Sequence, residues 1–137
     1  MSAMVVDPAG AVNREQVKQI LERNQAKMKY YLSHCAHCAL CAESCFLYQA
    51  HDRDPQYMPA YKVIHSVGEL YRKKDKVDRA LLLRIKRIVW KNCALCQRCY
   101  CPMGVSVPSM IAFARMVCRS QGVYPQGDAE GEPESWL

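Results

Sequence analysis

An all-α fold organised around bound metal is what the sequence predicts, and three observations predict it. Apolar residues recur at helical spacing along most of the chain, and no strand-like alternation competes with them. Nine of the 137 residues are cysteine. Eight of those nine fall into two short groups, separated by sequence that reads as helix. The length suits a single domain, since two independent cores would be small. A chain that is 50% hydrophobic and 23% charged is not wholly disordered, and six glycines without a period exclude a collagen-like one.

Four helices follow in order. Asn13 can cap the first, with Gln16 three residues on as in a capping box, and Val17, Ile20, Leu21, Met28, Tyr31 and Leu32 then share one face. Pro59 fits the first turn of the second, with Ile64, Val67, Leu70 and Tyr71 as its apolar stripe. Asp78 can start a third that carries Leu81, Leu82, Ile85, Ile88 and Val89. Pro108 starts the fourth and Gly122 ends it at the position after the cap. That last helix, with Met110, Ile111, Phe113, Ala114, Met116 and Val117, is apolar nearly all round and is expected to be buried. Residues 1–11 read as an N-terminal extension, 12–122 as the helical domain and 123–137 as a flexible acidic tail ending in Trp136-Leu137, a docking peptide or a chance ending.

No uncharged apolar run reaches the ~18 residues of a membrane span, and the first 13 residues do not form a signal peptide. A cytoplasmic location is therefore expected, with no direct membrane insertion. Disulfides are rare in such a reducing compartment, so nine thiols call for another partner, and metal is the first candidate. The net charge is +6, and residues 1–121 alone carry +10. The densest basic stretch, Arg72 to Lys91, reads as a solvated helix face, as a nucleic-acid patch, or as an offset to the negative charge of bound metal.

The first cysteine group, Cys35, Cys38, Cys41 and Cys45, is spaced C-x2-C-x2-C-x3-C. The second, Cys93, Cys96, Cys99 and Cys101, is spaced C-x2-C-x2-C-x-C and runs into Pro102. Three thiolates at three-residue intervals can wrap three corners of a cubane, and a fourth must come from elsewhere. Structural zinc sites combine pairs rather than triples, so the spacing favours iron–sulfur clusters over zinc. In two-cluster ferredoxins the fourth cysteine of each run ligates the other cluster. Transferred here, Cys35, Cys38, Cys41 and Cys101 hold one [4Fe–4S] cluster, and Cys93, Cys96, Cys99 and Cys45 hold the other. The 47 residues between Cys45 and Cys93 are long enough for two helices running out and back, which returns the second triple to the first.

Two such motifs on a helical scaffold resemble the alpha-helical ferredoxin family over about Cys35 to Gly122. Its members include iron–sulfur subunits of succinate and glycolate dehydrogenases. As a short chain this one is similar to the C subunit of heterodisulfide reductase, and the segment from Cys93 through Pro102 to Val105 is the most specific part of the likeness. The resemblance implies two [4Fe–4S] clusters and an electron relay between a flavin-containing A-type subunit and a catalytic B-type subunit acting on disulfide or sulfur compounds, sulfur oxidation among them. The sequence departs from the pattern twice: Phe46, not Pro, follows Cys45, and only Tyr100 separates Cys99 from Cys101. Cys101 is the expected fourth ligand because it keeps the Cys-Pro step, with Cys118 in reserve. Lys91 and Arg98 flank the second motif as possible contributors to its potential, and His34 and His37 lie beside the first.

No Gly-rich phosphate loop and no nucleophile–base pair is visible, so the chain is expected to be a non-catalytic subunit of an oxidoreductase rather than an enzyme alone. The alternatives are a zinc- or cluster-bearing nucleic-acid-binding module and the detached iron–sulfur arm of a membrane dehydrogenase.

Overall fold

The computed structural model describes residues 12–125; the N-terminal extension and residues 126–137, with the terminal Trp136-Leu137, lie outside the described residues. The described residues are helical and contain no strand. Helices α1 (Arg14–Arg23) and α2 (Gln25–His34) follow each other directly. Where one long helix is expected, the ladder breaks at Asn24, whose backbone N–H and side-chain amide both donate to the Ile20 carbonyl. An amide that competes for its own helix's carbonyls is a recognised reason for such a break.

Two short helices, α3 (Leu40–Glu43) and α4 (Phe46–Ala50), lie in and after the first cysteine group, where the sequence gives no helical period. Next come α5 (Pro59–Val63), a π turn (Ile64–Gly68) and α6 (Glu69–Arg72), which make one continuous helix with a widened middle. The same construction recurs in α7 (Arg79–Lys86), which passes into a second π turn (Arg87–Lys91). These are the outward and return helices of the 47-residue connection, and their two π turns pack against each other. Asp78 caps α7 by accepting from the Leu81 N–H at 2.8 Å, as the sequence indicates.

The last helix, α8 (Val107–Ser120), is the centre of the molecule. It starts one residue earlier than its proline suggests, because Ser106 is the cap and Pro108 sits in the first turn. Met110, Ile111, Phe113, Ala114 and Val117 are buried against α1, α5, α7 and both π turns. Gly122 (φ 66°) ends it, the Val123 N–H returns to the Cys118 carbonyl at 2.9 Å, and Val123 itself is buried in the core. The residue just past Gly122 therefore packs with the domain.

The two ends of the described chain are stitched together at a cap. Asn13 accepts from the Gln16 N–H at 3.1 Å. The reciprocal half of the capping box is supplied by Gln121, which accepts from the Asn13 N–H at 2.8 Å and donates to Gln16 at 3.0 Å.

Candidate metal centre

Both cysteine triples fold into the same loop. In the first, His37 (φ 55°) and Ala39 (φ 63°) stand on either side of Cys38; in the second, Leu95 (φ 53°) and Gln97 (φ 64°) stand on either side of Cys96. None of the four is glycine, and a left-handed conformation costs such residues about 1–2 kcal/mol each. Left-handed residues placed this way aim peptide N–H groups toward one side of the chain, the geometry of an anion-binding nest. The Leu95 N–H accordingly donates to Cys93 Sγ at 3.4 Å.

Each loop walls a cavity. The first cavity encloses about 270 Å³ of empty space, part of it open to solvent, and is lined by Cys35, Cys38, Cys41 and Cys101. The second encloses about 350 Å³ on the same measure and is lined by Cys45, Cys93, Cys96 and Cys99. The structure thus brings together the two sets of four that ligand exchange between the motifs groups. None of the nine cysteines is in a disulfide. Among the described residues no group of His, Cys, Asp or Glu closes on a single ion. A cubane asks for a different arrangement, one thiolate at each of four separate irons around a cavity, and the donor chemistry fits it.

The exchange takes place where the chain has least room. Cys99 faces the second cavity and Cys101 the first, with Tyr100 alone between them. The Tyr100 N–H donates to Ser44 Oγ at 3.2 Å, and Ser44 directly precedes Cys45, the other exchanged cysteine. One hydrogen bond therefore pins both crossing points. Beyond it, Cys101-Pro102-Met103-Gly104 closes a tight turn, with the Gly104 N–H on the Cys101 carbonyl at 3.1 Å and Gly104 at φ 76°. Proline second and glycine last is the composition such a turn favours.

Thiol chemistry follows burial. Burial pushes the Cys41 thiol up, against an Ala60 peptide N–H that pulls it down, and Cys35, Cys101 and Cys38 add repulsion. Burial likewise raises Cys93, with Lys62 and Arg115 opposing, and lifts Cys99 to about 12 with help from Cys93, Cys96 and Cys45. Packing eight thiols so closely is costly to any ionised state without a cation to share them.

Cys118 lies in neither cavity. It is 0% exposed in α8, its Sγ is 3.8 Å from the Leu82 carbonyl, and burial raises it to about 12. It packs as a small apolar side chain.

The charged residues beside the second cavity are not the two that flank it in sequence. Lys91 and Arg98 are both exposed, and neither lines the cavity. Lys62, from α5, does: it is 2% exposed and its Nζ donates to Cys45 Sγ at 3.6 Å. Arg115, from α8, stands behind the loop, donating to the Val89 carbonyl and to the Cys93 carbonyl, each at 3.0 Å. It ties the middle of the second π turn to the first cysteine of the triple. Both were missed, yet both leave a trace: Lys62 shares the buried phase of Ser66 and Leu70, and Arg115 interrupts an otherwise apolar helix. His37 lines the first cavity beside the cysteines, while His34 bonds the Tyr30 carbonyl at 2.9 Å. In the basic stretch Arg72 pairs with Glu69 at its side, Lys74 with Glu22 at 3.4 Å, and Asp75 with Lys18 at 3.9 Å, as on a solvated face. No helix of the described residues is long and apolar enough to cross a membrane.

The 4Fe-4S dicluster domain family matches residues 31–105, from the end of α2 to just before α8, a span that contains all eight clustered cysteines. No curated protein and no solved structure matches the chain.

Proposed function

From the chain's membership of the 4Fe-4S dicluster domain family, which makes it an iron–sulfur protein of electron transfer, we propose a specific role: the relay subunit of a heterodisulfide reductase-like complex. In this reading it holds two [4Fe–4S] clusters between a flavin-containing A-type subunit and a B-type subunit acting on disulfide or sulfur compounds, in the cytoplasm and without catalysing the reaction itself. A [4Fe–4S] cluster, when bound, supplies reversible one-electron storage. Cys35, Cys38, Cys41 and Cys101 hold one, and Cys45, Cys93, Cys96 and Cys99 the other. The observation that carries the reading is the pair of cavities, each walled by three cysteines of one motif and the fourth of the other.

The remaining residues serve transfer rather than turnover. Helix α5 lies between the cavities, with Ala60 on the first and, two residues on, Lys62 on the second. Cys38 and Cys96, the middle cysteines, are exposed, which gives each cavity an outward edge. Leu40, Phe46, Tyr100 and Met103, all in or beside the loops, are large apolar side chains about half exposed. Exposed apolar groups beside the loops suit transient docking of redox partners.

The test is anaerobic reconstitution with iron and sulfide, then iron quantitation and EPR after reduction. About eight irons per chain and two interacting one-electron signals are expected; fewer than about six irons sinks the two-cluster reading. Coexpression with A-type and B-type subunits should return a stoichiometric complex, whereas recovery only with a haem- or quinone-binding subunit would assign the chain to a membrane dehydrogenase instead.

A further inference from the structure

We propose that Lys62 makes the two sites electrically unequal, holding the second cavity's cluster at a higher reduction potential than the first cavity's, so that an electron entering the chain comes to rest on the second-motif side. The inference rests on the two-cluster reading.

Lys62 is a built feature rather than a passing contact. Its residue is 2% exposed, its ammonium donates to Cys45 Sγ at 3.6 Å, and among the described residues no carboxylate pairs with it. A buried ammonium calls for an anion beside it. A [4Fe–4S] cluster with four thiolates carries about −2 and is the counter-charge that this position calls for.

The sign of the effect follows from charge. Taking one electron from a one-electron reductant moves such a cluster from about −2 to about −3, with no bond made or broken. A fixed cation against a ligand thiolate attracts the more negative state more strongly, so it favours reduction. Arg115 works in the same direction, with its guanidinium on the Cys93 carbonyl. The first cavity has no such counterpart: no lysine or arginine is among its lining residues, and the donor on its Cys41 thiol is the Ala60 peptide N–H.

The test is a mediated redox titration of the full reconstituted chain, followed by EPR. Iron quantitation and integrated spin first show that both clusters are present in each variant. Cys45→Ser and Cys101→Ser, each altering the spectrum of the cluster it touches, assign the two midpoints in the wild-type chain. The signal that Cys45→Ser alters is expected at the higher potential. In Lys62→Met, the reduced-to-oxidised ratio of that cluster at a fixed ambient potential should fall by about tenfold, which is 59 mV for a one-electron couple, while the other shifts by less than about threefold. Lys62→Arg should restore it to within about threefold, which a purely structural role for the lysine stem would not do.

Eight irons with the Cys101-side cluster higher, or with both midpoints unmoved in Lys62→Met, would overturn the inference. About four irons in the wild-type chain would instead defeat the two-cluster reading. Should Lys62→Met lose iron, the wild-type assignment and Lys62→Arg still decide.

Discussion

The two cavities begin from the same loop and end in different surroundings. Each has a C-x2-C-x2-C turn with left-handed residues on both sides of its middle cysteine, and each borrows its fourth thiol from the other motif. Behind the first loop stand Ala60 and the short turn from Cys101 to Gly104, all uncharged. Behind the second stand Lys62, Arg115 and the aliphatic side chains of Val107 and Ile111 from the central helix. The difference teaches that such cysteine-walled sites are specified at two levels. The loop sets the ligand geometry and is repeated, whereas the scaffold sets the charge and is not.

The most drastic way to break the comparison is to remove what both cavities share. Chelating the iron anaerobically should cost most of the helical circular-dichroism signal and lead to aggregation, because eight thiols and four left-handed residues are left without the group that justifies them. An apo-chain that still melts cooperatively near the native temperature would show that the helices alone carry the fold.

A finer cut separates the cavities. Cys101→Ala should halve the iron content, to about four per chain, and leave the second-cavity signal. Cys118→Ala should leave iron content unchanged, since its thiol is in the core of α8. Equal iron loss in both would remove the assignment of Cys101 as the fourth ligand.

Arg115→Met should act on the second side only. It leaves two buried carbonyls, of Val89 and Cys93, without their charged donor. A loss of about 3 kcal/mol is expected, read from urea midpoints, with the second-cavity EPR signal bleached first.

Titration of Cys118 gives a smaller effect that spares both cavities. Its thiol is raised from 9.0 to about 12 by burial. The folded state therefore holds a proton that the unfolded chain releases above pH 9, and the associated stability is present below pH 9 and is lost on rising toward pH 12. Between pH 9 and 10 the urea stability of the wild-type chain should fall by roughly 1 kcal/mol more than that of Cys118→Val. Parallel slopes for the two would contradict it.

The smallest effect belongs to the first side. Gly104→Ala places a Cβ at φ 76°, at a cost of about 1 kcal/mol. Nothing lies within 4 Å of that Cβ, so the penalty should be conformational alone and the iron content unchanged.

Much of this was legible in the residues. The caps at Asn13 and Asp78, the proline in the first turn of α5 and the glycine after α8 are local signals, and local physics decides them. The grouping of the cysteines was carried over from the ligand exchange of two-cluster ferredoxins, with the length of the connection in support. Other features left no local mark. A π turn widens a helix by one hydrogen-bond step without a characteristic composition, so neither Ile64–Gly68 nor Arg87–Lys91 was foreseen. Ala, Leu and Gln have no appetite for the left-handed region and His only a modest one, and their presence there at 39, 95, 97 and 37 is imposed by the loop. Lys91 and Arg98 were the natural candidates to tune the second site because they neighbour it along the chain. The chain instead turns them to solvent and brings Lys62 from 31 positions before Cys93. Proximity in a folded chain is a property of the return path, which charge patterns do not report.

The crossing at Ser44 and Tyr100 also bears on how this protein ages. Since each cavity keeps one of its four thiols on the other's loop, damage to one half is felt in the other. Oxidation at the outward-facing Cys38 or Cys96 opens one cavity, and the loosened loop carries with it the thiol that it lends to its neighbour. A half-loaded chain is on this account the weaker form of the protein, its remaining site leaning on a loop that has lost its own support.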